Sequence, residues 1–177
     1  MTPLDVLKKV TEFTKDNIAS TILMMKERRH SGDIHDKEEM PVEFVHPAVE
    51  YGTIPHKNFQ PLDFQCPMIL WTFDTVSDNG TYDEGRTVEL RANVSAYSSD
   101  LYEGDKLPDK KAFVDLANLL ERMYVELTKR HVINGVGIKK PIEYGIYDGV
   151  FYPYSYGWLT VTAEISRVEY EGLEEFC

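Results

Sequence analysis

Val88-Glu89-Leu90-Arg91-Ala92-Asn93-Val94-Ser95-Ala96-Tyr97 reads as a strand from end to end. Val88, Leu90, Ala92, Val94 and Ala96 share one side of a period of two, and the polar residues with Tyr97 share the other, as a strand with one buried face requires. Upstream, Met68-Ile69-Leu70-Trp71-Thr72-Phe73 has the composition of a buried strand, and the acidic, turn-rich stretch Ser77–Gly85 separates the two. The arrangement predicts an antiparallel pair. Further strands are expected from Leu159 to Glu169, where Leu159, Val161, Ala163 and Ile165 alternate with polar residues, and over Val136–Tyr144. Lys139-Lys140-Pro141 suggests an edge position for the latter, since Lys and Pro both discourage strand pairing. Val42, Phe44 and Val45 suggest a short strand.

Two helices complete the pattern. Thr2 is a suitable N-cap, Pro3 suits the first helical position, and Asp5 places negative charge at the positive end of the dipole. Val6, Val10 and Phe13 follow at helical spacing, then Ile18, Ile22 and Met25 on a shifted face. This predicts one helix from Pro3 to Arg28, bent near Asn17. The second is expected from Pro108 or Asp109 to Arg130, with Phe113, Leu116, Leu120, Met123, Tyr124 and Leu127 as its apolar face. Asn134-Gly135 and Asp148-Gly149 are turn signals. The expected fold is α+β, a mixed, largely antiparallel sheet packed against two long helices, one N-terminal and one central.

With 177 residues and no repeat or linker, the chain is expected to form one domain. Its expected divisions are an N-terminal helix over 1–30, strands and loops over 31–107, a central helix over 108–131 and strands over 132–170. No apolar run reaches the roughly 18 residues of a membrane span, and residues 1–5 do not resemble a signal peptide. Cys66 and Cys177 are far apart in sequence, and Cys177 is the last residue. A Cys in that position is usually exposed and mobile, so a structural disulfide is not expected, and neither has the His neighbours of a zinc site. The net charge of −11 argues against phosphate-neutralising binding to nucleic acid. It suits a solubilising surface, a surface that DNA passes without adhering, or a DNA mimic.

No catalytic constellation emerges. The chain has no G-x-S-x-G elbow, no Walker A sequence and no H-E-x-x-H. His30, His35 and Asp36, with Asp33 between the histidines, resemble metal ligands in type, but their charged segment has no periodicity that would turn them inward. His46 and His56 adjoin prolines in extended stretches and read as surface or packing residues, and His131 reads as a helix-end charge. Asp83-Glu84 and Glu174-Glu175 lack the apolar surroundings that would shift one carboxylate for acid–base work. No catalytic, cofactor or metal residue is assigned.

What remains is aromatic. Tyr144, Tyr147, Phe151, Tyr152, Tyr154, Tyr156 and Trp158 crowd one turn-rich segment. They can cover the core and its hairpins, or they can form an interface or ligand platform.

The order of elements resembles that of the tail terminator, or tail completion, proteins of tailed bacteriophages and prophage tail particles. The resemblance is carried by the N-terminal helix, Val42-Glu43-Phe44, Pro67-Met68-Ile69-Leu70 and the strand ending Ser95-Ala96-Tyr97. It continues through Leu119-Leu120-Glu121-Arg122, Pro141-Ile142, Tyr152-Pro153-Tyr154 and Gly157-Trp158-Leu159, and spans roughly residues 3 to 167. It implies a non-enzymatic virion protein without cofactors, assembled in the cytoplasm of a host bacterium. Protomers of that family form a homo-oligomeric ring, typically hexameric, at the head-proximal end of the tail tube. The ring stops tube growth, meets the tube protein and the head–tail connector, and lets DNA pass through its lumen without specific binding. Tyr97, at a strand edge, and Tyr152, Tyr154, Tyr156 and Trp158 are the expected subunit contacts. A head–tail connector or neck protein would share these features, and an acidic DNA-mimic inhibitor of a host enzyme is the alternative of a different class.

Overall fold

A computed structural model describes residues 1–27, 42–53, 66–78, 85–98, 110–148 and 153–165. The fold is α+β, a curled mixed sheet with two helices. In chain order the elements are α1 (Pro3–Asn17), β1 (Met24–Met25), β2 (Phe44–Val45), β3 (Ala48–Tyr51), β4 (Met68–Ser77) and β5 (Arg86–Tyr97). After them come α2 (Lys111–Thr128), β6 (Val132–Ile133), β7 (Val136–Ile146) and β8 (Tyr154–Ile165).

The main sheet has six strands in the order β3-β4-β5-β8-β7-β6. Among the described strands only β3 and β4 run parallel. The stretch that first suggested a strand lies in its centre: β5 pairs antiparallel with β4 on one side and with β8 on the other, from Arg86↔Ile165 to Tyr97↔Tyr154. Val88, Leu90, Ala92, Val94 and Ala96 accordingly enter the core with Leu159, Val161, Ala163 and Ile165 of β8. Asn134, at φ 49°, and Gly135, at φ 80°, turn β6 into β7, the left-handed pair that a two-residue hairpin of this hand needs. The register of β7 on β8 shifts between Lys139 and Glu143. Among the described residues β6 pairs with β7 over Val136 and Gly137, with Ile138 N–H donating to His131 O at 2.8 Å just beyond, so no described strand pairs with Lys139-Lys140-Pro141 on the side of β7 away from β8.

α1 begins as its sequence predicts. The Thr2 hydroxyl accepts from Asp5 N–H at 3.2 Å, and the Asp5 carboxylate accepts from Thr2 N–H at 2.8 Å, a reciprocal capping box. These hydrogen bonds hold the Asp5 carboxyl below its usual range. The helix ends eleven residues short of Arg28, at Asn17, and a 3₁₀ turn, Ala19–Thr21, follows. Asn17 Nδ2 donates to Phe13 O at 3.1 Å and Ser20 Oγ donates to Asp16 O at 2.6 Å. Polar side chains thus take the terminal carbonyls, and Ile22 turns extended. Extension places Met24 in the main core and Met25 in a separate cluster with Cys66, Tyr97 and Tyr154.

α2 runs over Lys111–Thr128 and buries Ala112, Leu116, Leu119, Leu120, Met123 and Leu127. Phe113 departs from expectation: it is 51% exposed, at the flank of a stripe centred on Leu116, Leu120 and Met123, while Leu119 takes the core position. Both helices pack on one face of the sheet, α1 against β3 and β4 and α2 against β5, β7 and β8. α1 also reaches β6, where Asn134 Nδ2 donates to Lys9 O at 3.2 Å. It therefore lies across the mouth of the curl. Arg130, past the end of α2, sits 4.9 Å over the Phe13 ring and ties the helices together.

Candidate functional site: the aromatic face of the sheet

On β5 and β8 the residues that alternate with the core stand on the face away from the helices. Cross-strand partners there include Tyr97↔Tyr154, Ser95↔Tyr156 and Asn93↔Trp158. The pairings place four aromatic rings on two adjacent strands. The Tyr97 and Tyr154 rings lie 5.4 Å apart and tilted, and Tyr154 and Tyr156 lie 6.1 Å apart and stacked. Trp158 covers Gly145 of β7, where a Cβ would come within 3.1 Å of several indole atoms. Arg91 lies 5.9 Å from the Trp158 ring centroid and is held 3.0 Å from the Asp74 carboxylate. Tyr147, just past β7, donates its hydroxyl to Asn93 Oδ1 at 3.3 Å.

One end of this face is closed by the chain itself. The Tyr154 hydroxyl donates to Glu27 Oε1 at 2.6 Å, and Cys66 N–H donates to Glu27 Oε2 at 3.1 Å. The Cys66 thiol donates to Ser95 Oγ at 3.0 Å. Burial is the main cause that pushes this thiol up to about 12, so it is a neutral packing group at physiological pH. Burial likewise raises Tyr156 to about 12 and Tyr154 further, with the Glu27 hydrogen bond adding to the latter. The face therefore offers neutral hydroxyls, ring area and one cation already paired. Groups of this kind can make contact by packing and hydrogen bonding.

Of the expected contact residues, Tyr154, Tyr156 and Trp158 come together on this face, and Tyr97 joins them. Tyr97 needs correction. Its strand is interior, between β4 and β8, and the residue is only 6% exposed beneath Met25 and Tyr154. It is a support for the face and has no free strand edge. Tyr152 lies outside the described residues, as do His30, His35, Asp36, His56, Asp83, Glu84, Glu174, Glu175 and Cys177. His46 is placed: its Nδ1 donates to Ile22 O at 2.7 Å. Among the described residues no group of three or more His, Cys, Asp or Glu could hold a metal ion. Among them, too, no helix is long and apolar enough to cross a membrane.

Sequence reasoning missed Glu27, Asn93 and Arg91 as members of the face. The period of two does assign Asn93 and Arg91 to the side of Tyr97. Glu27 cannot be found that way, because helical spacing assigns it to the last turn of a helix. No known protein family matches the chain, and no curated protein matches it.

Proposed function

We propose that this chain is a structural assembly protein of a phage or prophage tail. Its protomers form a ring, typically hexameric in the family it resembles, that ends tube growth and joins the tail to the head. The observation that carries the reading is the placement of exposed apolar side chains. Tyr51, Phe73 and Val76 lie on β3 and β4, toward one end of the strand order, whereas Val132, Tyr144 and Tyr147 lie on or beside β6 and β7, toward the other. A ring needs such a pair of unlike patches, because each subunit offers one surface to the neighbour on its left and another to the neighbour on its right.

The net charge of −11 supports a lumen that DNA crosses without sticking. A head–tail connector would draw on the same features. The DNA-mimic alternative is less favoured, because basic side chains interleave with the acidic ones: Lys139 pairs with Glu164 at 3.2 Å and Lys26 with Glu43 at 2.8 Å.

The test is native mass by light scattering at low and moderate salt, with negative-stain images and a binding assay on purified tail tubes. A closed ring in solution, or ring closure on the tube, supports the proposal. A monomer that leaves the tube ends bare overturns it.

A further inference from the structure

Paired residues form rows that cross the sheet, and the rows set its two borders level with each other. One row runs from Tyr51 through Trp71, Ala92 and Leu159 to Tyr144. Its two ends are equally exposed, Tyr51 at 41% and Tyr144 at 40%. The next level is irregular at both borders. On β4 the register shifts between Phe73 and Thr75, so that Asp74 has no partner on β5 beside Leu90. On β7 it shifts between Lys139 and Glu143, which pair with Thr162 and Thr160. Val161, between those two threonines, is the partner of Leu90. The two irregularities therefore end the same row.

Neither border is covered there by a described strand. β3 pairs with β4 from Met68 to Trp71, which leaves residues 72–77 beyond it, and β6 pairs with β7 over Val136 and Gly137. Phe73 is accordingly 47% exposed. The charges at the two borders differ in sign. Asp74 is exposed beside Phe73 and held 3.0 Å from Arg91, with Asp78 beyond the end of β4 and Glu50 on β3. On β7, Lys139 lies 3.2 Å from Glu164, while Lys140 is exposed and makes no ion pair among the described residues. Glu143, at the far end of the irregularity, is the acidic exception.

We propose that these borders are the two halves of one contact between copies of this chain. Tyr51, Phe73 and Asp74 of one protomer meet Lys140 and Tyr144 of the next. This pairing rests on the ring reading and adds which surface meets which. Opposite charge selects it, because two β4 borders together would set Asp74 and Asp78 against their own kind. The bulges and Pro141 deny the contact a continuous backbone ladder, so side chains carry it. Equal level also makes the assembly close. Each copy is placed by rotation, without displacement along the strands, whereas halves at unequal levels would climb into a filament.

Thiol cross-linking tests the pairing in the full chain carrying Cys177→Ser, where buried Cys66 alone sets the background. Thr75→Cys and Glu143→Cys flank the contact and leave Phe73, Asp74 and Lys140 in place. Treated with a short bismaleimide, alone and on purified tail tubes, the two variants mixed should give linked dimers, and neither variant by itself should. The double variant should give a ladder that stops at the subunit number read by native mass. Lys140→Glu should weaken association about tenfold or more, with Lys140→Arg close to wild type. A ring whose mixed variants do not link, or in which one variant links to itself, overturns the pairing and leaves the ring reading standing. A ladder without an end overturns the level arrangement. A chain that stays monomeric, leaves tube ends bare and gives no linked species overturns both readings.

Discussion

Trp71 and Thr14, 57 residues apart, meet in the core: the indole Nε1 donates to the Thr14 hydroxyl at 3.0 Å, and both residues are fully buried. Thr14 in turn donates to Val10 O at 2.8 Å. The contact orients α1 on β4 with a directional bond where neighbouring contacts are apolar.

Thr14→Val keeps the shape and removes the acceptor. The Trp71 N–H is then buried without a partner, which costs about 1–3 kcal/mol. Chemical denaturation should show that loss, and Trp71→Phe in the same background should recover part of it. A Thr14→Val protein as stable as wild type would mean that the bond contributes nothing.

Two glycines on neighbouring strands should respond differently to the same change. At Gly157 an added Cβ would lie 2.8 Å from both Gly145 O and Leu120 Cδ1. Backbone cannot yield there, so Gly157→Ala should cost more than about 2 kcal/mol and loosen α2 from β8. At Gly145 the new Cβ meets the Trp158 ring at 3.0 Å, and a ring on the outer face can tilt. The melting temperature should therefore fall further for Gly157→Ala than for Gly145→Ala, and the reverse order would contradict this packing.

Alkaline pH should destabilise the fold through the same aromatic face. Tyr156 is raised from 10.0 to about 12, and Tyr154 is raised as well. A phenol whose folded value lies above its unfolded value contributes stability that is fully present below the unfolded value. As pH rises from about 10 toward about 12 the unfolded chain releases the proton first, so this stability is lost over that window. Urea midpoints measured from about pH 9 upward should fall, and Tyr156→Phe should flatten the decline. An unchanged slope in that variant would remove Tyr156 as the cause.

If the ring reading holds, Trp158→Asp and Tyr156→Asp should lower assembly, because each puts a charge among rings on the contact face. Native mass spectrometry on folded variants reads this directly. Full assembly by both would move the subunit contact off this face and onto the exposed apolar side chains toward the two sides of the sheet.

Much of the architecture is legible in residue periodicity. The alternation from Val88 to Tyr97 assigns the buried side of β5 correctly, and the expected antiparallel pairing with the preceding strand is present, but the central position of β5 shows only in the sheet order. Thr2 caps α1 and Pro3 opens it as the sequence suggests, and the bond from Thr2 N–H to the Asp5 carboxylate completes a capping box beyond that expectation. The end of α1 was not legible, because Ile18, Ile22 and Met25 keep helical spacing while the hydroxyl and amide side chains between them take the carbonyls. The exposure of Phe113 was hidden for a related reason: spacing selects a face but does not say where along it the sheet ends. The grouping of Glu27 with Tyr154 and Cys66 joins three separate parts of the chain through tertiary structure alone.

The outer side of β7 combines two lysines, a proline and a shift in register within Lys139–Glu143. A smooth, uncharged border would invite any passing strand to add on, and each addition would expose the next. Here the border is bent, positively charged and missing one amide donor at Pro141, so strand-by-strand accretion has no template along that stretch. Copies of the chain that meet along this border can in this way touch through side chains without drifting into fibrous aggregates.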